Sequence, residues 1–351
     1  MHAVIIAGGQ GTRLRPLTDT RPKPLIPFMG EPFAVGLLRR LAGAGVASAT
    51  FLVASDAAPW QLLLEAGPQV GIDVAIETEE MPLDTAGACR RLLPRLEVGG
   101  PVLVCNGDIL TDLDYAGLVV RHRAAGATAT LALTRVEDTS SFGVVVCDGG
   151  GRVERFVEKP PLGTLAADTV NAGTYVLQPD AFAQFPGEGP LSFERVVFPG
   201  LVEGGRYVLG VPSEAYWQDL GTPQRYLDGH CAVLEGRCGW PVAPGFHLDG
   251  NLVAVHGTAR VAPSAGLGPM TVVGAGCLVA ARAVVASSVL HDGVEVGEAA
   301  QITGTVLGPG SRVLEGARVT GAVVGDGAVV EPTHAQTIER PLDSRFWRAS
   351  Q

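Results

Sequence analysis

From about residue 245 onward the chain repeats itself on a short period. Val273-Gly274-Ala275-Gly276, Val296-Gly297-Glu298-Ala299, Leu307-Gly308-Pro309-Gly310 and Val324-Gly325-Asp326-Gly327 are near copies, and Val313-Leu314-Glu315-Gly316 is a looser one. An aliphatic residue followed by glycine and small residues, returning about every six positions, marks a hexapeptide β-helix. Its inward aliphatic residues stack coil on coil, and small residues fill the corners. The pattern leaves a glycine-rich β domain of ordinary kind as the alternative. Several intervals are not multiples of six, which predicts insertions in some coils. A β-helix this short caps itself poorly. We therefore expect a homo-oligomer, dimer or tetramer, formed through it. Residues 336–351 read as a tail, with Phe346 and Trp347 placed over an open coil end.

Up to about residue 230 the texture is different. Apolar runs at 3–7, 48–54, 73–77, 101–105 and 128–133 read as strands, and 32–42, 59–65 and 86–96 as helices. Such alternation predicts an α/β domain with a mainly parallel sheet. The expected organisation is a domain at 1–235, the β-helix at 245–335 and the tail at 336–351. Ligands of such sheets bind at the C-terminal ends of strands.

One of those ends carries Ala7-Gly8-Gly9-Gln10-Gly11-Thr12-Arg13-Leu14, followed by Pro22-Lys23-Pro24-Leu25. Glycine lacks a Cβ, so the loop can turn sharply and press its N–H groups against an anion. Arg13 and Lys23 add two cations, and the set suits a polyphosphate. A Rossmann fingerprint would need glycine where Leu14 stands, and a Walker A loop would need Gly-Lys-Ser/Thr, which is absent near Gly11.

Two carboxylates could hold a divalent ion. Asp108 ends a strand in Asn106-Gly107-Asp108, and Asp219 stands between Trp217 and the Gly221-Thr222-Pro223 turn. Mg2+ prefers one or two protein carboxylates. Each could equally be a turn residue. Thr222-Pro223 has the form of a helix start. Glu158-Lys159-Pro160 reads as an extended dipeptide with side chains on opposite faces. There Glu158 could accept sugar hydroxyls and Lys159 bind a sugar phosphate, or both could be solvated. Asn171 offers an amide that donates and accepts. Glu79-Glu80-Met81-Pro82-Leu83-Asp84-Thr85-Ala86-Gly87 precedes a helix whose first N–H groups would be free for a ligand. A carboxylate from Glu79 or Glu80 suits the paired N–H donors of guanine.

Composition narrows the partners. The chain has 351 residues, 46% hydrophobic, with mean hydropathy +0.26, enough for two domains and a sizeable core. No apolar run is long enough to span a membrane. Met1 leads straight into a strand, so no signal peptide is expected. The cysteines at 89, 105, 147, 231, 238 and 277 form no C-x-x-C pair, which points to a reducing cytoplasm. A net charge of −10 disfavours nucleic acid and anionic membranes as partners. It leaves a small anionic substrate open, because a few cations and a metal can reverse the field in one pocket.

The loop and the motifs after it resemble the sugar-1-phosphate nucleotidyltransferases, in particular their GDP-mannose pyrophosphorylase-like (mannose-1-phosphate guanylyltransferase-like) branch. G-G-x-G-T-R-L-x-P-L-T with P-K-P-L, E-x-P-L-x-T-A-G, N-G-D, E-K-P, N-A-G-x-Y, S-x-E-R-x-x-F-P from Ser192 and W-x-D-x-G-T-P occur in order over residues 1–230. The resemblance implies an α/β Rossmann-like, GT-A-like domain with a mixed, mainly parallel sheet, then a left-handed parallel β-helix. It implies transfer of a nucleotidyl group from an NTP, GTP favoured, to mannose-1-phosphate or a related hexose or cyclitol phosphate, with Mg2+ on Asp108 and Asp219. Arg13 and Lys23 become the catalytic cations. Ala7, Gly8, Gly9, Gly11, Thr12, Glu80, Thr85, Gly87, Asn106 and Gly107 join them around the nucleotide. Asp84, Gly143, Glu158, Lys159, Asn171 and Asp219 are assigned to the sugar phosphate. Thymidylyl, uridylyl or adenylyl transfer, and a non-catalytic regulatory homologue, are the alternatives. Acyl transfer on the β-helix is a further one, with His256 and His291 inside the repeats and His247 and His334 at their edges.

Two departures stand out. The branch has glycine where this chain has Asp84, which puts mannose itself in question. The stretch from Ser55 to Trp60 also differs from the family's usual one.

Overall fold

The computed structural model describes residues 1–54, 56–96, 99–161 and 167–332. The tail with Phe346 and Trp347, His334 and Ser55 lie outside the described residues. Among those described, the α-helices are α1 (Phe33–Gly43), α2 (Gln61–Gln69), α3 (Asp84–Leu92), α4 (Tyr115–Ala125), α5 (Phe198–Glu203) and α6 (Pro223–Leu234). The chain divides into two compact units, residues 1–9 with 37–217 and residues 10–36 with 218–351.

The first unit is built on a nine-stranded mixed sheet. Its strands are β1 (His2–Ile6), β2 (Ser48–Val53), β3 (Asp73–Thr78), β4 (Val102–Asn106), β5 (Ala129–Arg135), β6 (Gly143–Cys147), β7 (Val153–Glu158), β8 (Thr169–Leu177) and β9 (Val208–Pro212). The path runs β7-β6-β8-β4-β1-β2-β3; β5 branches from β8, and β9 pairs in parallel with β5. Strands β4, β1, β2 and β3 are parallel, and Val4 pairs with Thr50 on one side and Val104 on the other. Central parallel strands are covered on both faces and therefore read as unbroken apolar runs. Ala3, Val4 and Ile5 are accordingly fully buried.

The strand β8 runs antiparallel to both β4 and β5. Its pairing with β5 slips between Asn171 and Tyr175. At this bulge Gly173 has φ +71°, and a Cβ there would stand 2.6 Å from Asn106 Nδ2. The helix expected over 86–96 begins at Asp84, and α3 gives way to a tighter turn at Leu93–Arg95 as Pro94 arrives.

In the second unit, three sheets of six, five and four short strands run through residues 246–330. All their pairs are parallel except the opening hairpin, Phe246–Leu248 with Val253–His256. Three columns of side chains point inward: Val273, Leu290, Leu307 and Val324; Val279, Val296, Val313 and Val330; and Val285, Ile302 and Val319. This is a parallel β-helix.

The first coil advances 18 residues, from Val253 to Thr271, and the next ones 17, from Val272 to Val289 and from Val289 to Val306. The broken period is therefore a shortened coil, and no insertion is needed. Residues with positive φ turn the corners at 276, 282, 287, 293, 299, 304, 310, 316, 321 and 327, in steps of six, five and six.

Where a repeat carries two glycines, they serve different ends. Gly310 and Gly327 have φ +65° and open space around them. Gly308 has an ordinary backbone, but a Cβ there would lie 2.9 Å from Asp326 N in the next coil. Residues 10–36 and α6 belong with this unit through a ring cluster. Phe33 stacks on Trp240 at 4.6 Å, and Phe28 meets Tyr226 and His230.

Candidate active site

Gly11 opens a single turn of 3-10 helix, Thr12–Leu14. Its φ is +62°, and a Cβ there would touch Lys23 Cβ and Thr18 Cγ2 at 3.0 Å. The Thr18 hydroxyl donates to Gly11 O at 3.0 Å and closes the loop on itself. The loop therefore folds back until Gly11 packs on Lys23. Lys23 Nζ stands 3.2 Å from Asp219 Oδ1, and Arg225 Nη1 stands 3.1 Å from Asp219 Oδ2. A Cβ on Gly221 would meet Arg13 Nη2 and Asp219 Oδ2, each at 2.8 Å. Three cations thus gather about one half-buried carboxylate, an arrangement with net positive charge that attracts a polyanion.

Sequence reasoning missed Arg225. Its signal was present: Thr222 caps α6 by accepting from Arg225 N, which sets a cation in the first turn after Asp219.

In the first unit, β1 ends at Ile6, and Ala7 N donates to Leu52 O at 2.9 Å. A Cβ on Gly8 would find Ala54 N and Glu79 Oε1 no nearer than 3.9 Å, and one on Gly9 would find nothing within 4 Å. Gly107 N donates to Ile6 O, and a Cβ at Gly107 would press on Ile5 Cγ2 and Ile6 O at 3.0 and 3.1 Å. Close approach of β4 to β1 requires that glycine and brings Asn106 and Asp108 to the strand ends beside Gly8.

The segment before α3 differs from expectation. Its first N–H groups are not free: Ala86 N and Gly87 N both donate to Leu191 O, and Thr85 N donates to Asp84 Oδ1. Glu79 Oε2 accepts from Leu83 N at 2.9 Å, while Glu80 is exposed. Asp84 has φ +59°, the left-handed region that glycine enters freely and aspartate tolerates. Its Oδ2 pairs with Arg195. The Thr85 hydroxyl donates to Glu194 Oε2 at 2.8 Å and accepts from Phe193 N.

Glu158 and Lys159 are not on opposite faces. Lys159 takes φ +47°, its N–H donates to Phe142 O, and its Nζ stands 3.3 Å from Glu158 Oε1. Glu158 Oε2 is buried without a hydrogen-bond partner among the described residues, beside Gly143, where a Cβ would come within 2.9 Å of it. A buried, unpaired carboxylate oxygen is costly and calls for a donor. Asn171 Oδ1 accepts from Gly173 N and its Nδ2 donates to Tyr175 Oη. Tyr175 in turn reaches Glu194 Oε1 at 3.4 Å. Glu194 therefore joins the segment at Thr85 to Asn171, a link that the sequence alone did not indicate because its partners are far apart in the chain.

The described residues hold no cluster of three or more His, Cys, Asp or Glu side chains suited to a metal. Asp108 and Asp219 each carry a carboxylate, the hard oxygen donor that Mg2+ prefers. No helix among the described residues is long and apolar enough to cross a membrane. The cysteines are thiols, and burial raises Cys89, Cys105 and Cys231 well above the ordinary value. His291 stands at a corner of the β-helix with its ring buried against Tyr226 of α6, a packing role that lends no support to acyl transfer there.

The family described as Nucleotidyl transferase matches residues 2–236, and one described as GMPPB C-terminal domain matches residues 250–337. The mannose-1-phosphate guanylyltransferase of Mycobacterium tuberculosis is 36% identical over 300 residues, 84% of this chain and 81% of that protein. The mannose-1-phosphate guanylyltransferase catalytic subunit beta of Danio rerio is 35% identical over 240 residues, 67% and 65% of the two chains. Among solved structures, HddC from Yersinia pseudotuberculosis superposes with TM-score 0.56 at 27% identity, covering 65% of this chain and 97% of its own. HddC complexed with GMP-PN matches with TM-score 0.55 over the same shares.

Proposed function

Because the chain belongs to the nucleotidyl transferase family, we propose that it joins GTP and mannose-1-phosphate to give GDP-mannose and pyrophosphate. The curated relatives that cover most of the chain are named for that activity. The observation that carries the reading is the gathering of Arg13, Lys23 and Arg225 about Asp219.

The attacking group is a phosphate oxygen of the sugar phosphate, already ionised near neutral pH, so no general base is required. It attacks the α-phosphorus of GTP in line. The new P–O bond forms as the bond to the α–β bridging oxygen breaks, and that oxygen leaves with pyrophosphate. The chain contributes positioning and charge neutralisation. Gly8, Gly9, Gly11 and Thr12 present backbone N–H groups to the triphosphate. Glycine at Gly8 and Gly9 answers no crowding from the chain itself, which supports a ligand as the reason for both. Arg13 holds the departing pyrophosphate, and Lys23 neutralises charge at the α-phosphoryl group.

On the sugar side, Glu158 Oε2 has the open acceptor that a sugar hydroxyl would fill. Lys159 offers a cation for the sugar phosphate, and Asn171 the N–H that Tyr175 does not use. Glu80, exposed where Glu79 is committed, is the carboxylate left for guanine. Asp84 is neutralised by Arg195, so the departure from glycine gives no reason to exclude mannose. Asp108 and Asp219 are the residues we assign to Mg2+, which when bound would add positive charge against the triphosphate. Assembly into a homo-oligomer through the β-helix, and a cytoplasmic setting, belong to the same reading.

The test is direct. Purified protein is incubated with Mg2+, mannose-1-phosphate and each of GTP, ATP, CTP, UTP and dTTP, and pyrophosphate is measured. Release with GTP well above the others is expected. Release only with another nucleotide, or only with a different sugar or cyclitol phosphate, would overturn the substrate assignment. No release with any pair would overturn the enzymatic reading.

A further inference from the structure

We infer that Asp326, in the β-helix, is a positioning residue for the loop that carries Arg13 and Lys23. The inference rests on the function proposed above for those two cations.

Equivalent corner positions in successive coils are Ala275, Asp292, Pro309 and Asp326. At the second of these, Asp292 Oδ1 accepts from Ala275 N, one coil earlier, at 2.8 Å. Asp326 cannot repeat that bond, because its counterpart is Pro309, which has no N–H. Its Oδ1 is buried and has no hydrogen-bond partner among the described residues. Its Oδ2 instead accepts from Thr20 Oγ1 at 2.7 Å and pairs with Arg21. The carboxylate that serves the coil at 292 therefore serves the loop at 326.

A neighbouring corner shows the same substitution. Gly308 is covered by the next coil at Asp326, whereas Gly325 is covered by Pro16, whose Cβ lies 3.3 Å from a Cβ position on that glycine. Pro16 thus occupies the place that a further coil would take. Pro16, Thr20 and Arg21 fall between Arg13 and Lys23, and Arg21 is two residues from Lys23. With Gly11 packed on Lys23 at the base and Asp326 holding the tip, both ends of the loop are fixed. The pair is only partly exposed, with 23% of the Arg21 and 19% of the Asp326 side chain accessible. Removing one partner leaves the other buried and uncompensated, the costly case for such pairs.

The experiment compares Asp326→Ala, Asp326→Asn and Arg21→Lys with Asp292→Ala, which breaks the coil bond without touching the loop. Kinetics with GTP and mannose-1-phosphate are run beside thermal unfolding and hydrogen exchange of residues 12–25. For Asp326→Ala we expect kcat to fall by about 10- to 100-fold, the scale of small misplacements of reacting groups. The KM for mannose-1-phosphate should stay within about twofold. Exchange in residues 12–25 should quicken, and Arg21→Lys, which keeps the charge opposite Asp326, should retain most of the wild-type kcat. Asp292→Ala should lower the unfolding midpoint while leaving kcat in place.

If Asp326→Ala does not fold, Asp326→Asn is read in the same direction with a smaller effect, since it keeps the size but removes the charge that pairs with Arg21. Wild-type kcat and wild-type exchange in a folded Asp326 variant would overturn the inference. So would equal loss of kcat in Asp292→Ala. The exchange measurement needs no turnover. A wild-type protein without guanylyltransferase activity would sink the proposed function and leave the loop result to stand or fall separately.

Discussion

Lys23 Nζ lies 3.2 Å from Asp219 Oδ1, so the lysine that follows the glycine loop is aimed by a carboxylate almost two hundred positions later. Arg225 holds the other oxygen of the same carboxylate. The lysine stem is packed against Gly11, and only 10% of its side chain is exposed. A cation held this way needs no reorganisation when charge develops on the α-phosphoryl group. Lys23→Ala should therefore lower kcat by about 10²–10³, as loss of one preorganised donor does. Pyrophosphate release at saturating substrates checks it, with circular dichroism to establish that the variant is folded. Near-normal turnover would remove Lys23 from the mechanism.

The left-handed backbone at Asp84 sets a second expectation. Glycine adopts φ +59° without strain, so Asp84→Gly trades relief of strain against loss of a half-exposed ion pair with Arg195. The change in stability should be within about 1 kcal/mol. Asp84→Ala loses the same pair and keeps a Cβ in the left-handed region, and should cost about 1–2 kcal/mol more than Asp84→Gly. Urea unfolding of the two variants gives the order. If alanine proves the more stable, the backbone is not the reason glycine and aspartate alternate at this position.

The features legible in the sequence share one property: they depend on residues close together in the chain. The inward columns at Val273, Leu290, Leu307 and Val324 repeat within a coil or two, so a short period exposed them. The apolar run of β1 is likewise local. The mistaken details depended on distant partners. Nothing near α3 shows that Leu191 O will take the N–H groups of Ala86 and Gly87. The rule for residues before proline puts Lys159 in extended backbone, but the contact of its N–H with Phe142 O holds it at φ +47°. Glu194 escaped notice for the same reason, and Arg225 for a different one. Glu194 acts on Thr85, 109 positions earlier, whereas Arg225 acts on Asp219 only six positions away and was hidden by the helix-start pattern around it.

Buried histidines predict the response to acid. Burial lowers His230 to about 4 and His291 to about 3, from an ordinary value of 6.5. His291 stands at a corner where neighbouring coils have glycine, and its ring meets Tyr226 at 2.9 Å. In the same cluster, His230 Nε2 accepts from Met29 N, and its Nδ1 meets Tyr226 O at 2.9 Å. The folded chain keeps both rings neutral. Below pH 6.5 the unfolded chain takes up protons that the folded chain refuses, so stability falls as pH drops from about 6.5 toward 4, by about 3 kcal/mol for each ring over the full window. Urea midpoints between pH 7 and 4.5 should decline, and His291→Gln should flatten the slope. A midpoint that stays constant over this range would show that these rings titrate normally.

The two kinds of glycine in the β-helix should fail in different ways. A Cβ on Gly297 would lie 2.5 Å from Glu315 N and 2.7 Å from Leu314 C, both backbone atoms of the next coil. The coil cannot move aside without breaking its ladder, so Gly297→Ala is an overpacking change and should cost about 1–3 kcal/mol. Gly310 has open space, and only its φ of +65° resists a side chain. Gly310→Ala should cost about 1–2 kcal/mol. Asparagine tolerates left-handed backbone, so Gly310→Asn should recover part of that loss, whereas Gly297→Asn should be worse than Gly297→Ala, because its larger side chain meets the same wall. Thermal unfolding of the four variants separates the two causes. Recovery by asparagine at Gly297 would mean that backbone conformation, and not the approach of Glu315, is what fixes glycine there.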